Sequence, residues 1–310
     1  VVFYFFEVAM KTNIFTNRHK RNTMLTVGLF IASPLTMAAT TPWIGTANYQ
    51  AALPEATGDE GTVVGPFDTY DFGSGIAIIK PAGTVSAGTK FTGSFQTYVI
   101  GHQINSVGIN TPQLDNSGGT NFLGAGNGYE LTLVANFSGE YTSVNSTGLN
   151  FKIDNGGTAN LYLDSASPDY KFANDTGFND GLAILSGSIS GGDGTILLPG
   201  LVGIGGEQVT LDFSGIFGSY NTNVYEPDTI SGGSALFSIQ TKALLGQATP
   251  TLDQVWAGSK KVNGLTAANI GELAELDGKL NLTAVPVPAA AWMFLTGFLG
   301  LLGINKRKVK

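Results

Sequence analysis

Apolar and polar residues alternate with a period of two through much of the middle of the chain. Tyr129, Leu131, Leu133, Ala135 and Phe137 place one apolar face on a predicted strand, and Leu149, Phe151 and Ile153 repeat the pattern. The stretch "DNGG", Asp154 to Gly157, then leads to Ala159, Leu161 and Leu163, a spacing that predicts a hairpin. Further alternating runs cover Phe91 to Val99, Leu182 to Leu185, Val209 to Phe213, Ala235 to Ile239 and Leu280 to Ala284. Clusters of Gly, Asn, Asp and Ser, among them "NSGGTN", "SGGDGT" and "SGGS", predict the turns between strands. One polar face per strand implies antiparallel sheets packed face to face. The expected fold class is therefore all-β, an antiparallel β-sandwich of jelly-roll kind. One helix is predicted over Leu265 to Leu276, where Leu265, Ile270, Leu273 and Leu276 loosely follow helical spacing, and it would cap an end of the sandwich. No repeat of fixed period argues for a propeller or solenoid.

Both ends break this pattern. Lys11, Arg18, Lys20 and Arg21 precede an apolar run from Met24 to Ala32, the breaker Pro34 and the small residues Ala38 and Ala39. A basic segment, a short apolar run and a small-residue cleavage site are the parts of a secretory signal peptide. Residues 1–9 fit no part of it and precede an initiator candidate at Met10, so they are expected to be an over-extended start, with a signal peptide over 10–39. At the other end, Ala289 to Ile304 is apolar apart from one Thr and three Gly. As a helix it would span about 24 Å, a little less than the hydrocarbon core of a bilayer. Lys306, Arg307, Lys308 and Lys310 follow it, as expected of a cytoplasmic flank.

Composition narrows the chemistry of the body at 40–284. The 310 residues include 43 Gly and no Cys, with 10% aromatic and 13% charged residues, a balance that favours turn-rich β structure over disorder. Disulfides, thiol catalysis and thiolate metal sites are excluded. Of two histidines, His19 falls in the predicted signal, which leaves His102 as the sole candidate base for a Ser-His-Asp arrangement. Between residues 40 and 285 there are 8 basic and 22 acidic side chains, a net charge of −14, which would repel nucleic acid.

The segment "VPVPA", Val285, Pro286, Val287, Pro288 and Ala289, followed by the apolar helix and the basic tail, resembles the PEP-CTERM sorting signals of Gram-negative bacteria. It is most similar to the variant ending in Val-Pro-Leu-Pro-Ala, with Val287 at the third position. The resemblance implies a transient inner-membrane form, recognition by an exosortase, cleavage near the prolines and release of the body to the surface or matrix. The alternative is a permanent single-pass anchor. The prolines hold the backbone extended, the form in which a protease takes a peptide. "GYELTLVANFSG" and "NLYLDSASPDYKFANDTGFNDGLAILSGSISGGDGT" also resemble the flocculation-associated PEP-CTERM family. That likeness implies a secreted, non-enzymatic protein that works with exopolysaccharide to gather cells into flocs or biofilm.

Asp164, Asp169, Asp175 and Asp180 fall within 17 residues. Three readings stay open: solvated loop acids, a calcium loop built from Asp and Asn oxygens, and a carboxylate pair about 5–10 Å apart in a glycosidase cleft. "NDTGFNDG" lacks the EF-hand order, and calcium is the one cofactor this set allows. "GLVGIGGE" has glycines near the nucleotide-loop pattern but no following Lys-Ser/Thr, and is expected to be a turn. Ser/Thr-rich loops such as "SGEYTSVNSTG" offer sites for glycosylation.

Overall fold

The chain divides into two compact units, Val1–Ala38 and Ala39–Lys310. The computed structural model describes residues 41–52, 63–115, 128–146, 148–164, 170–197, 206–212, 220–239 and 250–285, all in the second unit. The predicted signal peptide, Pro286 to Ala289 of the sorting motif, the expected helix over Ala289 to Ile304 and the basic tail lie outside the described residues. Among the described residues no helix is long and apolar enough to cross a membrane.

The expected all-β, antiparallel class is found. The main strands are β4 (Thr69–Phe72), β5 (Gly75–Pro81), β6 (Lys90–Ile104), β8 (Glu130–Asn145), β9 (Gly148–Ile153), β10 (Gly157–Asp164), β11 (Leu182–Leu197), β12 (Gly206–Asp212), β14 (Ile230–Ile239) and β17 (Leu273–Ala284). Between β6 and β8 comes β7 (Val107–Gly108), which pairs with the end of β6. Their ladders form a closed circuit. β6 pairs with β8, β8 with β9 and β10, and both of these with β11. From β11 the pairing runs through β12 and β14 to β17, and β4 and β5 join β17 back to β6. All of these ladders belong to one sheet. Closure pairs both sides of each strand and so protects the ladder from edge association.

Alternation decides which side chains fill the circuit. Phe91, Phe95 and Val99 of β6, Leu131 and Leu133 of β8, Leu161 and Leu163 of β10 and Leu276, Leu280 and Leu282 of β17 belong to one buried cluster. The largest of these residues each contribute roughly 1.5–3 kcal/mol by leaving water. One interior cavity, about 30 Å³, is lined by apolar side chains of β6, β8, β9, β10, β11, β14 and β17. It is far smaller than a ligand pocket of roughly 300–1,000 Å³. The circuit encloses a packed apolar core.

The end of the core near its first strands is closed by a smaller sheet of β2 (Gly45–Asn48), β3 (Val63–Phe67) and β13 (Tyr225–Glu226), in the order β13-β2-β3. Before it, β1 (Thr41–Pro42) pairs with the end of β17, with Thr41 opposite Ala284. The Trp43 amide donates to Leu282 O (3.0 Å), and the Val285 amide donates to Thr229 O (2.9 Å).

Three local expectations are corrected. "DNGG" is not a hairpin: β9 lies along Gly139 to Asn145 of β8, and β10 continues in the same direction along Glu130 to Asn136. The Asp154 amide donates to Ser138 O and the Gly156 amide to Ile189 O, so the ladder crosses the interruption as a bulge. "SGGDGT" and "SGGS" likewise sit inside β11 and β14, at register shifts beside Gly191 and Gly232. Gly156 and Gly191 have φ of 108° and 130°, open to glycine and strained for other residues. "NSGGTN" lies outside the described residues.

The helix predicted over Leu265 to Leu276 is absent. Leu265 belongs to the short strand β16 (Leu265–Thr266), Ile270 to a 3-10 turn and Leu273 to β17. Leu273 packs in an outer cluster and Leu276 in the inner one, so their spacing reflects two faces of a strand. The described α-helix is α1 (Pro250–Ala257), just before β15 (Lys261–Val262).

Candidate functional site

One side of the circuit carries a second apolar layer. Ile76 and Ile78 of β5 and Val134 of β8 point outward and are covered by Tyr170, Phe172 and Phe178, by Leu252 and Val255 of α1, and by Val262 of β15. Thr132 Oγ1 donates to Phe178 O (2.9 Å), which ties the covering loop to β8. Beside it, β15 and β16 form a hairpin whose turn is Asn263-Gly264. Their φ values, 47° and 82°, are the positive pair that a type I′ turn needs.

Between loop and hairpin lies a pocket of about 300 Å³ lined by Gln96, Asp175, Phe178, Asn179, Asn263 and Gly264. Asp175 spans it. One carboxylate oxygen accepts the Asn263 amide (2.7 Å), and the other accepts the Gly264 amide (2.7 Å). The Asn263 amide is shared with Gln96 Oε1 (3.0 Å). Asn263 Nδ2 donates to Asn136 Oδ1 (3.0 Å), and Asn179 Nδ2 approaches Asn263 Oδ1 at 3.4 Å. Gln96 is wholly buried, and its Nε2 has no hydrogen-bond partner among the described residues. The site thus combines a carboxylate and three amide side chains on a braced frame.

Asp175→Ala should lower stability by about 1–3 kcal/mol, because two charge-assisted bonds are lost, and should speed amide exchange at Asn263 and Gly264. Asp175→Asn, which keeps an acceptor and tolerates the positive φ of 59°, should cost less. Equal melting temperatures for wild type and Asp175→Ala would show that the brace is not needed.

Of the three described acids among the four singled out by spacing, Asp175 lines this pocket. Asp164 ends β10 opposite Glu130, Asp180 is exposed, and Asp169 lies outside the described residues. Among the described residues no three His, Asp or Glu side chains come together as a metal cage. Gln96 and Asn263 were missed: Gln96 occupies the polar side of an alternating strand, while the Asn-Gly dipeptide between Val262 and Leu265 was a hairpin signal in plain view.

His102 sits elsewhere, inside the core. It is 1% exposed, with Tyr49, Phe67 and Tyr70 rings around it. Its Nε2 is hydrogen bonded with Tyr49 OH (2.5 Å); Tyr49 OH also meets Tyr70 OH (3.1 Å), which meets Tyr225 OH (2.7 Å). Burial pushes the imidazole down to about 3 and the three phenols up. A neutral, enclosed imidazole joins β6 to β4, β13 and the segment after β2; it has no route to a substrate for proton transfer.

A separate cleft of about 590 Å³ is lined by Thr46, Asn48, Tyr225, Glu226, Pro227 and Asp228, among others. Asp228 accepts a bond from Tyr220 OH, whose hydroxyl is pushed up to about 12 by desolvation and that carboxylate. Trp43 supports the cleft from within, and Trp256 carries Lys260 over its ring at 4.4 Å.

No protein-family model, curated protein or solved structure matches this chain.

Proposed function

We propose that the chain is a secreted, non-enzymatic protein, trimmed at both ends during export, which is retained in an extracellular polysaccharide matrix and promotes floc or biofilm formation. The supporting observation is the seam between Thr41 and Ala284. Ala39, the predicted signal cleavage point, precedes the first paired residue by two positions. Pro286 follows Val285, whose amide makes the last described bond at that end. Cuts near these two positions would therefore fall just outside the paired seam at both ends of the described body. The body is taken as an antiparallel β-sandwich of jelly-roll kind, a reading supported by Ala135 and Ala235, which come from opposite sides of the circuit and line the same small cavity.

In this reading an exosortase meets the proline motif at the inner membrane. The acidic body then faces outward, away from nucleic acid. Mass spectrometry of the released protein should find an N-terminus close to residue 40 and no peptide containing Trp292. A released or surface form that still contains Trp292 would make the segment a permanent anchor. Deleting the gene should reduce aggregation while polysaccharide synthesis continues, and unchanged flocs would overturn the proposal. The two carboxylates on the Tyr225–Asp228 cleft favour a second reading, a polysaccharide-active enzyme. Loss of matrix-glycan hydrolysis in Glu226→Gln would support that reading instead.

A further inference from the structure

We infer that the pocket between Asp175 and the Asn263-Gly264 turn binds one neutral sugar residue. This rests on the matrix reading above and supplies it with a point of contact. A sugar hydroxyl both donates and accepts, so its site needs both kinds of partner at close range. Asp175 retains lone pairs beyond its two backbone bonds, and Asn179 and Asn263 present amide groups that can do either, while the buried Gln96 holds the Asn263 amide in place from below.

The chemistry selects against other occupants. Among the described residues no basic side chain lines the pocket and a carboxylate does, which disfavours anions. Two backbone N–H groups already point at the carboxylate oxygens, so a cation would meet donors as well as acceptors. Phe178 is the sole aromatic in the lining and is 3% exposed, which leaves little apolar surface for a hydrophobic ligand. The volume, about 300 Å³, lies at the lower limit for ligand pockets and suits a single ring.

The frame is built for a fixed geometry. Gln96 comes from the centre of β6, between β5 and β8, while Asp175 and Asn263 come from two loops seated on the outer apolar layer. Asp175 links those loops to one another, so the polar groups are held before a ligand arrives, which reduces the ordering cost of binding.

The test uses the protein as cells release it and the methyl glycosides of glucose, galactose, mannose and N-acetylglucosamine as probes, each followed by saturation-transfer NMR. At least one should give a saturable signal in the millimolar range. Asn179→Ala, a change at an exposed residue, should weaken it about 5- to 10-fold with an unchanged melting temperature, the effect of one lost hydrogen bond. Asp175→Ala should abolish it, with folding checked by the melting transition; if that variant fails to fold, Asn179→Ala decides. No saturable signal with any probe, or full binding by Asn179→Ala, overturns the inference. Co-sedimentation with the host exopolysaccharide separates the two proposals. Equal co-sedimentation of wild type and Asn179→Ala sinks the pocket and leaves matrix retention standing. Glycoside binding by a wild type that does not co-sediment keeps the pocket and sinks matrix retention.

Discussion

Trp43→Ala should lower the unfolding free energy by about 3–5 kcal/mol, the range for truncating a large buried aromatic. The indole is 1% exposed and lies edge-on to Phe67 and Tyr225, with centroids 5.4 and 5.8 Å away. Its Nε1 donates to Pro227 O (2.9 Å) and its backbone amide to Leu282 O. One residue thus ties the start of the body to β2, β3, β13 and β17. Urea unfolding of wild type and Trp43→Ala would measure the loss, and a difference under 1 kcal/mol would contradict this packing account. The same residue constrains maturation. A signal cut near Ala39 keeps Trp43, whereas a cut a few residues later would discard it.

Acid should weaken the fold through His102. Its folded value of about 3 lies below the roughly 6.5 of an exposed imidazole. The unfolded chain therefore binds one more proton between those values. The contribution is fully present above pH 6.5 and declines as pH falls, by about 1.4 kcal/mol per pH unit, or about 3 kcal/mol at pH 4.5. Glu275 and Asp277 act in the opposite sense. Desolvation raises both, so their contribution is present at low pH and lost as pH rises through their folded values. Comparing wild type with His102→Gln removes this background. The variant should show a shallower fall in stability between pH 6.5 and 4.5, and parallel curves would exclude His102 as the source.

The fold class was legible because period-2 alternation survives in β6, β8, β10 and β17, each with one face in the core. The closed circuit was not, since closure depends on partners such as Leu273 and Ile78, which no local pattern connects. Glycine misled in a definite way. At Gly156 and Gly191 it marks a bulge within a continuing ladder, while at Gly264 it marks a real reversal, and the dipeptide before it was the distinguishing sign. The pocket was half legible. Asp175 belonged to an acid cluster noticed for its spacing, but its partner Asn263 is 88 residues away and Gln96 is 167 residues from Asn263. Only the packed outer layer brings them together.

The antiparallel seam at Thr41 and Ala284 also fixes how the body carries mechanical load. Tension applied at residues 41 and 285 pulls adjacent strand ends apart, so the seam's bonds are loaded one after another, as in a zipper, and not all at once in shear. After Thr41 and Pro42 peel away, the next obstacle is the buried indole of Trp43. Pulling the body by residues 41 and 285 should therefore give a soft initial yield followed by a firm stop, with the closed ladder behind it still intact.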